Sequence, residues 1–186
     1  AIVGGWIDWE SIGVAPADVA AYLREGAARK AHTLFMLGRR VSRVNGEQFS
    51  VERIHDLTLN QLRWLRDLNC LDLVDREALS RQIAAVQVRS GDVPPGQPPI
   101  RDWRHLRGLF HTPSWPTLQD TYFSVAALEI LGGLERMDRE ACIKRILKLH
   151  RGKGYFTPPD TNERWKGRIQ GNARDTLAAF ETLRIL

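Results

Sequence analysis

Apolar positions in the second half of the chain recur at three- and four-residue intervals. In "MDREACIKRILKLHRGKGYF", residues 137–156, Cys142, Ile143, Ile146, Leu147 and Leu149 form one stripe, with Lys144, Lys148 and Arg151 off it. That is the pattern of a helix with one wet face. At a constant offset of 63 residues upstream the chain reads "VDREALSRQIAAVQVRSGDV", residues 74–93, with Asp, Arg, Glu, Ala, Ile and Gly in place and no gap. Asp75 and Asp138 are suited to cap these two helices, because a short carboxylate accepts from the free amides of a first turn. Val74 and Met137, one position before the caps, are expected to pack on Leu79 and Cys142.

The match continues backwards, where Leu62, Leu65, Leu68 and Leu71 align with Val125, Leu128, Leu131 and Leu134. The later copy, "DTYFSVAALEIL", is apolar nearly all the way round, which predicts a helix covered on most sides. A third, partial copy, "DTLAAFETLRIL", closes the sequence at residues 175–186. The predicted order is therefore buried helix, half-wet helix, long loop, and the same again. Ahead of it, Pro16 to about Arg43 reads as one long helix, with proline suited to its first turn, and Asn45-Gly46 marks a turn. Residues 1–15, "AIVGGWIDWESIGVA", read as an irregular arm.

Eight of the nine prolines lie in two connections, residues 89–117 and 151–174. Both leave a half-wet helix and enter a buried one, so a repeating architecture brings them out at the same end. The period is too long for helical solenoids repeating at about 34 or about 40–47 residues. The expected fold class is all-α, an array of helical hairpins. The hairpins fill a single domain over residues 16–186, in repeats of about 54–117, 118–172 and a partial 173–186.

Composition narrows the class. Of the 186 residues, 43% are apolar and 26% charged, as in a folded globular domain. No apolar run approaches the ~20 residues that span a bilayer, and no signal-peptide pattern opens the chain. Cys70 and Cys142 sit in no CxxC, so free thiols and a cytoplasmic location are expected. The net charge of +5 comes with no nucleic-acid motif, and no nucleic-acid partner is expected.

"LQDTYFSVAALEILGGLERMDREACIKRILKLHRGKGYF" resembles the repeat of protein prenyltransferase β subunits and of squalene and terpene cyclases. In that repeat an Asp-Thr-Tyr-like start opens an inner helix that runs to Leu-Gly. An outer helix then ends in a Gly-aromatic loop, here Gly152-Lys153-Gly154-Tyr155-Phe156. The resemblance spans residues 54–186 and implies an α/α toroid-like array, here an incomplete, open ring, with inner helices around a cavity and loops at one mouth. The family's chemistry is not matched. Its zinc-binding Asp and Cys would fall on Asp175-Thr176-Leu177 or Asp120-Thr121-Tyr122, where no thiol stands. The Asp-x-Asp-Asp acid of the cyclases is absent from the sequence. No metal or cofactor is implied, and catalysis is left open.

Charge places the candidate site at that mouth. The two connections carry ten basic residues against four acidic ones. Arg164, Lys166, Arg168 and Arg174 are the expected anion contacts. Trp103, Trp115, Tyr155 and Trp165, with Phe110, Phe156 and the inner-helix Tyr122, would supply the apolar wall, and His111 a general base. Cations beside aromatic walls suit an amphiphilic anion such as an isoprenyl diphosphate. The alternative is a noncatalytic scaffold that binds a protein partner or a second copy over Leu177, Phe180, Leu183 and Leu186 of the last helix.

Overall fold

The computed structural model describes residues 13–29, 38–44, 47–53, 56–89, 106–110, 116–152, 154–159 and 173–186. These form six α-helices and one antiparallel β-hairpin. In order they are α1 (Pro16–Arg29), β1 (Gly38–Val44), β2 (Glu47–Arg53), α2 (Asp56–Asp67), α3 (Arg76–Ala85), α4 (Leu118–Leu131), α5 (Arg139–Lys148) and α6 (Ala173–Ile185). Helix dominates, as the patterning predicts. The departure is the single long helix expected to reach Arg43: α1 stops at Arg29, and residues 38–44 form a strand instead. The strands pair from Gly38 with Arg53 to Val44 with Glu47. That register brackets Asn45-Gly46, the dipeptide best suited to a two-residue hairpin connection. The dipeptide itself and residues 1–12 of the expected arm lie outside the described residues.

Helices α2, α4 and α6, the inner helices of the expected repeat, pack side by side with α4 between its two neighbours, and α3 also packs against α4. The uniform apolarity of α4 follows from this position: ten of its fourteen residues are buried, Thr121, Ser124 and Asp120 among them. The predicted register holds, since Leu62, Leu65 and Leu68 of the first copy and Val125, Leu128 and Leu131 of the second are all buried. Leu71 and Leu134, the last aligned pair, both open one-turn 3-10 helices, Leu71–Leu73 and Leu134–Arg136.

The shared Asp-Arg-Glu has a structural explanation in both copies. Asp75 accepts from the Ala78 amide at 2.9 Å and Asp138 from the Ala141 amide at 3.0 Å, capping α3 and α5. The following arginine reaches the far end of the next inner helix. Arg76 donates twice to the Leu131 carbonyl, at 2.9 and 3.2 Å, and Arg139 donates to the Leu186 carbonyl at 2.5 Å. Carbonyls of a last helical turn have no intrahelical partner, so a guanidinium there supplies the missing donors. Val74, Leu79, Met137 and Cys142 join one core cluster, as the expected staples require. Leu147 does not join the buried stripe of α5. It is exposed, because its place on the helix turns it away from Cys142, Ile146 and Leu149.

Candidate functional site

The starts of α4 and α6 lie side by side, and one backbone amide from each long connection is held there in the same way. The Phe110 amide donates to Thr121 Oγ1 at 3.2 Å, and the Phe156 amide donates to Thr176 Oγ1 at 3.1 Å. Gln119 on α4 reaches Asp175 on α6 at 3.5 Å. The Asp-Thr pair in the first turn of α4 and of α6 therefore has a structural job: its threonine accepts from a backbone amide of the preceding connection. Thr117 caps α4 by accepting from the Asp120 amide at 2.9 Å and donates to the Asp120 carboxylate at 2.5 Å. Phe110 and Phe156, one from each connection, are thus held at one rim.

Three of the sequence-derived site residues fall on this rim. Tyr122 is half-buried one residue beyond Thr121, Tyr155 is half-buried beside Phe156, and Arg174 is exposed on the first turn of α6. They share the rim rather than a contact. Trp103, His111, Trp115, Arg164, Trp165, Lys166 and Arg168 lie outside the described residues. Phe110 and Phe156 are not available as ligand walls, because both are buried in the core, with Phe156 edge-on to Phe180 at 5.4 Å.

The partner of Tyr122 was not foreseen. Arg63 on α2 donates to the Tyr122 hydroxyl at 2.6 Å, with its guanidinium carbon 6.0 Å from the ring centroid. Their half-buried setting strengthens a cation beside an aromatic face. A signal existed in the sequence: Arg63 aligns with Ala126 of the second copy, so a charge stands where the buried helix has a methyl group. Among the described residues, no three His, Cys, Asp or Glu side chains are grouped to hold a metal ion.

Both thiols, Cys70 and Cys142, are free and buried. Burial, with the Asp138 charge adding to it, pushes the Cys142 thiol up to about 12, so it is neither nucleophile nor ligand at neutral pH. Asp138 moves the other way. The Ala141 N–H holds its carboxyl below the usual range, burial opposes this, and Arg107 adds to the lowering. A cleft of about 420 Å3 lies beside Asp138 on the outer layer, along α5 rather than at the rim. Among the described residues, no helix is long and apolar enough to cross a membrane. No protein-family model matches the chain, and neither do curated proteins or solved structures.

Proposed function

We propose that the chain is a helical-hairpin module of the prenyltransferase and terpene-cyclase kind. Its rim, at the starts of the inner helices, takes an amphiphilic anion of the isoprenyl diphosphate class. The observation that carries this reading is Arg63 of α2 held against Tyr122 of α4. A half-dry guanidinium beside an aromatic ring offers charge for a diphosphate and a surface for a hydrocarbon in one place. Arg174 on α6, with Arg164, Lys166 and Arg168 of the preceding connection, would add charge. Tyr155, Trp103, Trp115 and Trp165 would add apolar wall, with His111 beside them. Binding is what the reading asserts, and it gives no residue a part in bond making or breaking. Titration with farnesyl diphosphate, followed by tryptophan fluorescence, is expected to give a saturable change that weakens in Arg63→Met and in Arg168→Ala/Arg174→Ala. A flat titration, or one that these variants leave unaltered, removes the proposal.

One observation favours the scaffold reading. On α6, Leu177 and Phe180 are 62% and 52% exposed, while Leu183 and Leu186 pack against the core. If that face binds protein, a second copy being the simplest case, sedimentation should show self-association that Leu177→Asp abolishes. A monomer at every concentration counts against it.

A further inference from the structure

Helix α5 carries a second stripe that neither the repeat nor the rim uses. Its core-facing stripe, Cys142, Ile146 and Leu149, is buried. Beside it Ala141, Lys144, Arg145 and Lys148 follow the same three- and four-residue spacing, and they line the cleft together with Arg107, Asp138 and Glu140. The opposite wall is built deliberately close. A Cβ placed on Gly108 would lie 2.4 Å from the Ala141 carbonyl, so only glycine lets residues 106–110 lie flat on the first turn of α5. Buried Gln87 holds that wall from behind, donating to the Gly108 carbonyl at 3.1 Å and to the Asp138 carbonyl at 3.0 Å. Arg107 is thereby carried to the edge of the cleft.

Among the described residues, four cations face two carboxylates there. Asp138 is already committed: one oxygen accepts from the Ala141 amide, and the other pairs with Arg107 at 3.2 Å. Glu140 is exposed, one turn before Lys144. The cleft keeps a positive excess. Arg145 is half-buried, and its Nε–H is sealed from solvent with no hydrogen-bond partner. Burial, and then the neighbouring Arg151, push its pKa below the usual arginine value. A guanidinium N–H without an acceptor is a standing cost, and native structures seldom leave one unless something else supplies the oxygen. The repeat does not require two of these charges, since the first copy has Gln82 and Ala85 where the second has Arg145 and Lys148, and keeps a cation, Arg81, only at the Lys144 position.

We propose that the α5 cleft is a binding site for a phosphate-bearing anion, with the Arg145 guanidinium and the Lys144 and Lys148 ammonium groups as donors. Several oxygens carrying close to two charges match a planar fork flanked by two point charges better than a single carboxylate does. This site lies apart from the rim and stands or falls independently of it.

The test is NMR titration of the whole chain with inorganic pyrophosphate, following the Arg145 Nε–H resonance, which reports on this cleft alone. A saturable shift is expected. Lys144→Gln/Lys148→Gln, both exposed on α5, should weaken it by at least about tenfold, the loss expected for charge-assisted hydrogen bonds. Arg66→Gln, which removes a charge from α2, should leave it unchanged. Vesicles of phosphatidylcholine containing phosphatidic acid separate two sources of the same chemistry. Vesicle uptake that pyrophosphate displaces assigns the phosphate to a lipid headgroup, and pyrophosphate binding without uptake assigns it to a soluble ligand. No saturable shift, or an equal loss in Arg66→Gln, overturns the proposal.

Discussion

Gln87→Met tests how the two copies are joined. Gln87 lies two residues beyond α3, and its amide ties the first copy to the second. It donates to the Gly108 and Asp138 carbonyls and accepts from the Asp138 amide at 2.7 Å. Methionine keeps the length and the buried volume, so the loss is confined to three hydrogen bonds. At about 1 kcal/mol net for each, the expected destabilisation is about 3 kcal/mol. With a urea m-value of about 2 kcal/mol/M, the unfolding midpoint should fall by about 1.5 M. Gln87→Glu should do no better at neutral pH, because it sets a carboxylate against two carbonyl oxygens. His150 occupies the equivalent position of the second copy, is exposed, and stacks at 5.1 Å on Phe156; His150→Ala should cost about 1 kcal/mol or less. A Gln87→Met midpoint within about 0.3 M of the parent, roughly 0.6 kcal/mol, would show that these bonds do not couple the copies.

Gly108→Ala should destabilise by about 3 kcal/mol or more, since it combines a positive φ with a backbone overlap. Gly152→Ala, which meets open space, should cost only about 1 kcal/mol in the same thermal melts. Because the folded pKa of Asp138 is depressed, its stabilisation is present above the unfolded value of about 3.9 and is lost as pH falls through the folded value. Urea midpoints of Asp138→Asn should therefore be lower at pH 7 and lose less on acidification. Cys142, raised to about 12, should resist thiol labelling at pH 8 in the folded chain and react after unfolding. Its linkage has the opposite sign: the unfolded thiol ionises above about 8.5 while the folded one does not, so this contribution is lost as pH rises from there towards 12.

The helices α2 to α6 and the Asp caps of α3 and α5 were legible because each depends on residues three or four apart, and the repeat states the pattern more than once. The hairpin was missed for a local reason. Val41 and Val44 before Asn45-Gly46, with Phe49 and Val51 after it, support a strand pair as readily as helix and turn. At the rim, Tyr122 was legible and Arg63 was not, since the two are 59 residues apart and meet only because α2 lies against α4. Arg174 was legible as a charge but not as an exposed first-turn residue.

By itself, the order of residues determined that this protein is built from repeated helical hairpins with Asp caps, and that both long connections lead into inner helices. Those properties follow from periodicity and local hydrogen bonding, which act along the chain. Only the tertiary structure decided what the shared arginine does, that Gln87 joins the copies, and that Gly108 brings Arg107 beside Lys144 and Arg145. Each of these needs groups distant in sequence to meet within a few ångströms, and no local pattern encodes that proximity.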